Sequence, residues 1–170
     1  MIGIHINDNE IPYTQLILDG VKRFETRFRP TLRPFVGQRV AIIRTGKGKA
    51  EIVGTVRIVG EVWWDAEAFD FLRPLHCVPK GSKQDTGKGK WCYLLREPQK
   101  LDEPIVIGHK FFTGNRTYRT LGGQYEEEIQ ENEPVQPVQA AEDAENHGFH
   151  MVPGIPDDGC ADTGCPFDPE

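Results

Sequence analysis

The sequence predicts a small, mainly β domain with one or two helices, an α+β barrel. Five or six short segments have the apolar alternation or β-branched content of strands, and turn residues separate them. Gly54 and Gly60 interrupt the longest apolar segment. Isolated glycines inside strands often mark the bulges that curl a sheet. A curled, barrel-like sheet is therefore the predicted architecture.

The first half of the chain is expected to contain three strands and one helix. Residues 2–6 alternate weakly and form the first strand. Residues 10–18 carry a partial helical stripe, and Gly20 stands where a C-capping glycine is expected. Two further strands are predicted over 22–28 and 39–44, the second of which is apolar enough to be buried.

The second half is predicted to begin with the longest strand, over residues 51–64. A short helix follows at 65–72, with Asp65 as its N-cap. Residues 74–90 are polar and are expected to form a long loop. Two short strands complete the prediction, at 91–95 and 104–107.

The net charge of −6 conceals two oppositely charged parts. Residues 1–123 hold all 20 Lys and Arg with 13 of the 26 acids, which gives +7, whereas residues 124–170 hold the other 13 acids and no Lys or Arg, which gives −13. A basic body is suited to an anion such as RNA, while the acidic part competes with that contact, binds a protein partner or only aids solubility. The composition predicts a domain over 1–107, an extension at 108–123 that docks on it or forms a basic arm, and a disordered acidic tail over 124–170.

The chain shows no targeting or membrane-spanning pattern. Its first residues lack a basic region followed by a long apolar stretch, and no apolar run reaches the roughly 20 residues of a membrane span. The expectation is an intracellular, cytoplasmic protein with reduced thiols and no membrane contact. We expect neither a cofactor nor a metal, since the His and Cys spacings match no common site.

Residues 20–30 contain the pattern that points most directly to a binding site. Gly20, Lys22, Glu25 and Arg27 form a G-x-K-x-x-E-x-R run. If this segment is a strand, alternation places Glu25 on one face between Arg23 and Arg27, with Lys22 on the other face. Glu25 is then either a structural partner of an arginine or a group that meets a nucleobase.

Two lysine-rich loops are candidates for phosphate contact. Thr-Gly-Lys-Gly-Lys occurs at residues 45–49 and again at 86–90, each time before a strand. Glycines free backbone N–H groups and lysines supply charge, so these lysines are candidate ligand contacts. Neither copy fits a P-loop, which excludes that class of nucleotide triphosphatase. The alternative is two flexible loops. The candidate lysines are Lys47, Lys49, Lys88 and Lys90.

Aromatic residues are candidates for stacking on a base. Trp63 and Trp64 must point to opposite faces of a strand, so one belongs to the core and the other is free for a ligand wall. We predict that Trp64 is the tryptophan that contacts the ligand. His76, in the predicted long loop, is either an acid–base group or an ordinary solvated side chain.

The G-x-K-x-x-E-x-R run, the helix before it, Gly-Gln-Arg-Val-Ala-Ile at 37–42 and Val-Gly-Thr-Val-Arg-Ile at 53–58 resemble the signature of the ASCH family. ASCH domains are related to the PUA RNA-binding fold. The Glu-Thr-Arg-x-Arg-Pro run is similar to the EOLA-like branch in particular. The resemblance covers residues 2–107. It implies a PUA-like β-barrel with a basic cleft that binds RNA or a nucleotide through Lys22, Glu25 and Arg27.

The resemblance also sets the alternative function. Some ASCH proteins are amidohydrolases that act on acylated cytidine, using the motif lysine and a threonine three residues later. Glu25 stands at that later position here, so the hydroxyl of the hydrolytic branch is replaced. The resemblance therefore favours binding. The alternative is a small hydrolase for a modified nucleoside or RNA, an amidohydrolase or a ribonuclease, with Lys22 and Glu25 as its acid–base pair.

Overall fold

The computed structural model describes residues 1–46, 48–107 and 117–132. These residues form six strands and four short helices. In chain order the elements are β1 (Ile2–Asn7), α1 (Tyr13–Leu18), β2 (Phe24–Arg27), β3 (Arg39–Thr45), β4 (Ala50–Trp64), α2 (Ala66–Phe71), α3 (Arg73–His76), β5 (Lys90–Ile107), β6 (Tyr118–Thr120) and α4 (Gly123–Asn132).

The six strands form one curled sheet in the order β2-β5-β4-β3-β1-β6. Strands β1 and β3 run parallel, and every other neighbouring pair is antiparallel. The result is a half-barrel, which confirms the predicted mainly β class. Strand β2, which carries most of the charged motif, is an edge strand. The other edge is β6, next to β1.

Glycines curl the longest strand as the sequence predicts. The β4–β5 register shifts between Ile52 and Gly54, and again between Ile58 and Gly60. A Cβ at Gly54 would lie 2.3 Å from the backbone oxygen of Gln99, so the close approach of β5 requires glycine there. Both glycines therefore mark the irregularities that bend the sheet.

Apolar side chains pack on both faces of β3, which lies inside the sheet. Val40 and Ile42 belong to the main core, which also contains Ile17 of α1. Ala41 and Ile43 belong to a second, smaller core. This two-sided burial explains why the sequence of β3 is a nearly continuous apolar run.

Three elements differ from the sequence prediction. The strands expected at 91–95 and 104–107 are one strand, β5, because pairing with β4 carries the ladder through the polar residues between them. The loop expected from residue 74 overlaps α3. Strand β6, which was not predicted, pairs with β1 over three residues, too few to show a periodic pattern.

Helix α4 occupies the first part of the segment that the composition assigned to a disordered tail. Ile129 of α4 is fully buried in the second core, and Tyr125 packs against the same core. Burial of this one face orders a helix whose glutamate content suggested disorder. Residues 108–116 of the predicted extension and residues 133–170 of the predicted tail lie outside the described residues. No helix in the described part of the chain is long and apolar enough to cross a membrane.

Candidate functional site

A cavity of about 770 Å³ lies between the edge strand β2 and strand β1. This volume is in the range of sites for small organic ligands. His5, Ile6 and Asn7 of β1 line one side, and residues 25–31, in and after β2, supply much of the other. Two further segments, around residues 45–50 and 78–90, contribute to the lining, as do Tyr13, Lys22 and Thr117. The cavity is thus bordered by one edge strand, β2, and by β1, the inner strand next to the other edge.

Glu25 is held between two cations at the wall of this cavity. Its Oε1 lies 3.0 Å from Nη2 of Arg27, and its Oε2 lies 3.4 Å from Nζ of Lys22. The prediction that Lys22 faces away from Glu25 was wrong. Strand β2 begins only at Phe24, so strand alternation does not govern Lys22. Arg23, which was expected beside Glu25, is exposed, and its backbone N–H instead bonds to Leu75.

The Lys22 ammonium is 2 % exposed and has an acceptor for each of its N–H groups. It donates to the backbone oxygen of Phe24 at 2.7 Å and to that of His76 at 2.8 Å, and Glu25 is the third partner. The ring of Tyr13 lies 5.1 Å away. Burial lowers the pKa of Lys22, and the charge of Glu25 acts against that shift. Lys22 therefore joins α3 to β2 and fixes Glu25, with no N–H left for a ligand.

Arg27 links the two strands that border the cavity. Its Nη2 donates to the backbone oxygen of His5 in β1 at 2.8 Å and also contacts Glu25. The Nε of Arg27 is buried and has no hydrogen-bond partner. The guanidinium is thus fixed in orientation and still carries one buried, unused donor.

His76 is a buried supporting residue and not the loop acid–base group considered from the sequence. It ends α3, is 0 % exposed, and stacks on Phe69 with 4.0 Å between ring centres. Nε2 lies 2.8 Å from the backbone oxygen of Phe69, and Nδ1 accepts from the backbone N–H of Val78 at 3.0 Å. These partners assign the proton to Nε2. Desolvation lowers the pKa of His76 to about 4, so the ring is neutral at pH 7.

Lys90 is the predicted loop lysine that the structure brings to the cavity. It is 2 % exposed, and its Nζ donates to the backbone oxygen of Gln84. The ammonium also lies 4.6 Å from the centre of the Phe28 ring and 4.8 Å from that of Phe69. Burial lowers the pKa of Lys90. Lys90 therefore stabilises the loop before β5 through its hydrogen bond to Gln84. Its ammonium group also makes cation–π contacts with the rings of Phe28 and Phe69.

Two of the other predicted lysines, Lys49 and Lys88, are exposed and do not line the cavity. Lys47 lies outside the described residues. The first lysine-rich loop reaches the cavity through Gly46 and Gly48. The first loop therefore borders the cavity through its glycines, and phosphate contact by the lysines of both loops stays a prediction.

Trp64 does not fit the predicted ligand wall. It is 8 % exposed, packs 4.6 Å from the ring of Phe24, and is absent from the cavity lining. Trp63 is the exposed member of the pair and meets Trp91 edge to face. Which of two adjacent aromatic residues faces the core depends on the packing of β4, which the sequence does not reveal. The exposed aromatic ring at the cavity is Phe28.

Several polar side chains at the cavity have no signal in the sequence. Tyr13, Thr31 and Gln84 come from α1, the loop after β2 and the loop before β5, and all three line the cavity. Each has a buried oxygen without a hydrogen-bond partner. No motif links these residues because only the fold brings their segments together.

The charged side chains that line the cavity are mostly cationic. Five are lysine or arginine, and one is a carboxylate: Lys22, Arg27, Arg29, Lys83, Lys90 and Glu25. Arg29 and Lys83 are exposed, whereas the carboxylate is buried. Across the described residues, no group of three or more His, Cys, Asp or Glu side chains is arranged to hold a metal ion.

Comparisons with known proteins give a structural likeness without a sequence match. No protein-family model and no curated protein matches the chain. The crystal structure of ASCH from Zymomonas mobilis matches with a TM-score of 0.60 at 17% identity, over 78% of this chain and 95% of that chain. Two mutant structures of that protein match with TM-scores of 0.55 and 0.53, also at 17% identity and over 78% of this chain, covering 96% and 98% of theirs. The more specific resemblance to the EOLA-like branch stays a prediction. The chain therefore has the fold of an ASCH domain.

Proposed function

We propose that this chain is an RNA-binding module that holds one nucleotide of its ligand in the cavity between β1 and β2. The observation that carries the proposal is the Glu25 carboxylate, fixed between Lys22 and Arg27 at the wall of a cavity with a cationic lining. A fixed carboxylate accepts hydrogen bonds from the N–H groups of a base.

The charges at the rim fit a nucleic-acid backbone. Arg29 and Lys83 border the cavity and are exposed, and Lys49 and Lys88 extend the positive charge along the two neighbouring loops. Exposed cations of this kind attract phosphates and make binding depend on salt. The +7 charge of residues 1–123 supports the same ligand.

The contacts of Lys22 favour binding over the hydrolytic alternative. A catalytic base needs a free electron pair directed at the substrate. The three N–H groups of the Lys22 ammonium are directed at Phe24, His76 and Glu25, so proton transfer to or from substrate would require it to leave these partners. The carboxylate oxygens of Glu25 can each accept a further hydrogen bond, so Glu25 acts in the proposal as a hydrogen-bond acceptor at the cavity.

The change Glu25→Gln tests this proposal, because it keeps the shape of the side chain and removes its charge. We expect the affinity for single-stranded RNA to fall about tenfold, which is the effect of losing one charge-assisted hydrogen bond. Fluorescence anisotropy of a labelled RNA, repeated over a range of NaCl concentrations, measures both the affinity and the number of phosphate contacts.

Glu97→Gln is the matched control. Glu97 pairs with Arg39 at 2.9 Å and lies outside the cavity, so this change should leave RNA affinity unaltered. Failure of the wild-type protein to bind RNA or nucleotides at any salt concentration would contradict the proposal. Turnover of acylated cytidine or RNA that Lys22→Met abolishes, with binding retained, would favour the hydrolase instead.

A further inference from the structure

Four buried polar atoms without hydrogen-bond partners belong to residues that line the same cavity. They are Tyr13 Oη, Arg27 Nε, Thr31 Oγ1 and Gln84 Oε1. Among the described residues, most of the side-chain atoms of this kind belong to this one site. They come from four separate segments, and no local turn or helix cap accounts for their common location.

Such a concentration of groups without protein partners marks a place where a bound polar molecule completes the hydrogen bonding. A buried donor or acceptor left unpaired costs about 1–3 kcal/mol, and folded proteins contain few of them. Tyr13 is the strongest case, because it is only 6 % exposed and its hydroxyl has no partner. Burial raises its pKa to about 12, so the hydroxyl stays protonated and can both donate and accept.

The chemistry of these groups fits a neutral ligand better than an anion. A hydroxyl from Tyr13, another from Thr31 and a carboxamide from Gln84 offer donors and acceptors together, as the edge of a heterocyclic base requires. An anion in the interior would meet the carboxylate of Glu25. The interior cations Lys22, Arg27 and Lys90 already pair with Glu25 or with backbone oxygens, whereas the exposed cations Arg29 and Lys83 lie at the rim. The interior and the rim are thus suited to different parts of a nucleotide.

We propose that the interior of the cavity takes the uncharged base of the nucleotide, that Tyr13 and Gln84 read the edge of that base, and that the phosphate stays outside with Arg29 and Lys83. This assignment rests on the proposed RNA-binding function, and it names the base as the part of the RNA that the cavity recognises. Tyr13 and Gln84 are then specificity-determining residues that do not belong to the charged motif.

Calorimetric titration with the four ribonucleosides and with ribose 5-phosphate tests this assignment directly. At least one nucleoside should bind the wild-type protein with an affinity that does not change with NaCl, since no phosphate is involved. Ribose 5-phosphate, which has no base, should bind far more weakly. The changes Tyr13→Phe and Gln84→Met each remove polar atoms at nearly constant size, and each should weaken the preferred nucleoside about tenfold.

Tyr118→Phe and Gln38→Met are the matched controls, because both residues lie outside the cavity lining. They should bind nucleosides as the wild-type protein does. For RNA, Tyr13→Phe and Gln84→Met should reduce the preference between bases and leave the salt dependence unchanged. Circular dichroism melting of each variant separates a lost contact from a lost fold.

Two results would overturn the assignment while the proposed function survives. The first is salt-dependent RNA binding by a protein that binds ribose 5-phosphate and no nucleoside. The second is unchanged nucleoside affinity and selectivity in folded Tyr13→Phe and Gln84→Met variants. Absence of both RNA and nucleoside binding by the wild-type protein would instead remove the proposed function together with this inference.

Discussion

Lys22 shows how one side chain of a recognised motif takes a role that its spacing does not reveal. The sequence identifies Lys22, Glu25 and Arg27 as a group, and the structure brings all three together. The direction of Lys22 depends on a backbone oxygen of His76, which is distant in the chain. Residue type and spacing therefore predict the members of this charged cluster. The partners of each member depend on the fold.

His76 makes the stability of the protein depend on pH. Its pKa is about 4 in the folded protein and about 6.5 when unfolded, so the unfolded chain binds more protons between these values. The free energy of unfolding should therefore fall as the pH decreases through this window, by about 2 kcal/mol between pH 7 and pH 5. Urea unfolding followed by circular dichroism measures this change.

The variant His76→Gln isolates the contribution of this residue. Its amide can still donate to the backbone oxygen of Phe69, and it has no group that titrates in this range. We expect the variant to be less stable than the wild-type protein at pH 7, with a smaller loss between pH 7 and pH 5. An equal loss in both proteins would mean that other groups cause the pH dependence.

Among the secondary-structure elements, β4 is the one that the sequence describes best. Its bounds were predicted to within one residue, and both glycines expected to interrupt it coincide with register shifts. Strand β5 was predicted as two strands because its middle is polar and half-exposed. Pairing with a neighbour orders such a segment, and single-sequence patterns do not contain that information.

The two glycines of β4 differ in their surroundings, which gives a matched pair of substitutions. Gly54→Ala would place a Cβ 2.3 Å from the backbone oxygen of Gln99 and 2.6 Å from a methyl group of Leu18. A backbone atom cannot rotate away, so the variant should lose at least about 2 kcal/mol of stability. Chemical denaturation with urea measures this loss.

Gly60→Ala is the control within the same strand. No atom lies within 4 Å of a Cβ built at Gly60, and its backbone does not have the positive φ that favours glycine. The substitution should leave stability unchanged or raise it slightly, because alanine reduces the freedom of the unfolded chain. Equal destabilisation by both changes would show that β4 tolerates no Cβ at its bulges, even where no atom lies close to the added Cβ.

The whole molecule combines a basic domain with an acidic C-terminal segment. Helix α4 contains four of the thirteen acids of residues 124–170 and packs on the domain, so the remaining nine lie beyond it. The charge division is a property of the composition itself. The composition did not predict α4, since a single buried face supplied by Ile129 orders a segment that is otherwise polar.

Truncation after Asn132 tests whether the acidic segment competes with RNA. The shortened chain keeps α4 and loses nine carboxylates. If these carboxylates compete for the same cations, the truncated protein should bind RNA more tightly than the full chain at low salt. The difference should shrink as NaCl screens the interaction. Anisotropy titrations at low and high NaCl provide the comparison.

A gain in RNA affinity confined to low salt would support competition. Equal RNA affinities of the truncated protein and the full chain at every salt concentration would indicate that the segment only aids solubility. A loss of affinity on truncation would contradict competition, because it would place part of the RNA-binding surface beyond Asn132.

The position of the cavity between β2 and β1 has a consequence for the energetics of the fold. In a closed barrel, hydrogen bonds between strands would join the two edge strands, β2 and β6, whereas here Arg27 of β2 reaches β1, the neighbour of β6, with a side-chain hydrogen bond to the backbone oxygen of His5. A ligand that touches β1 and β2 supplies further bonds between them. Because it binds only the folded chain, its binding free energy adds to that of folding. Ligand binding should therefore raise the melting temperature of the protein, and this increase can be used to detect binding.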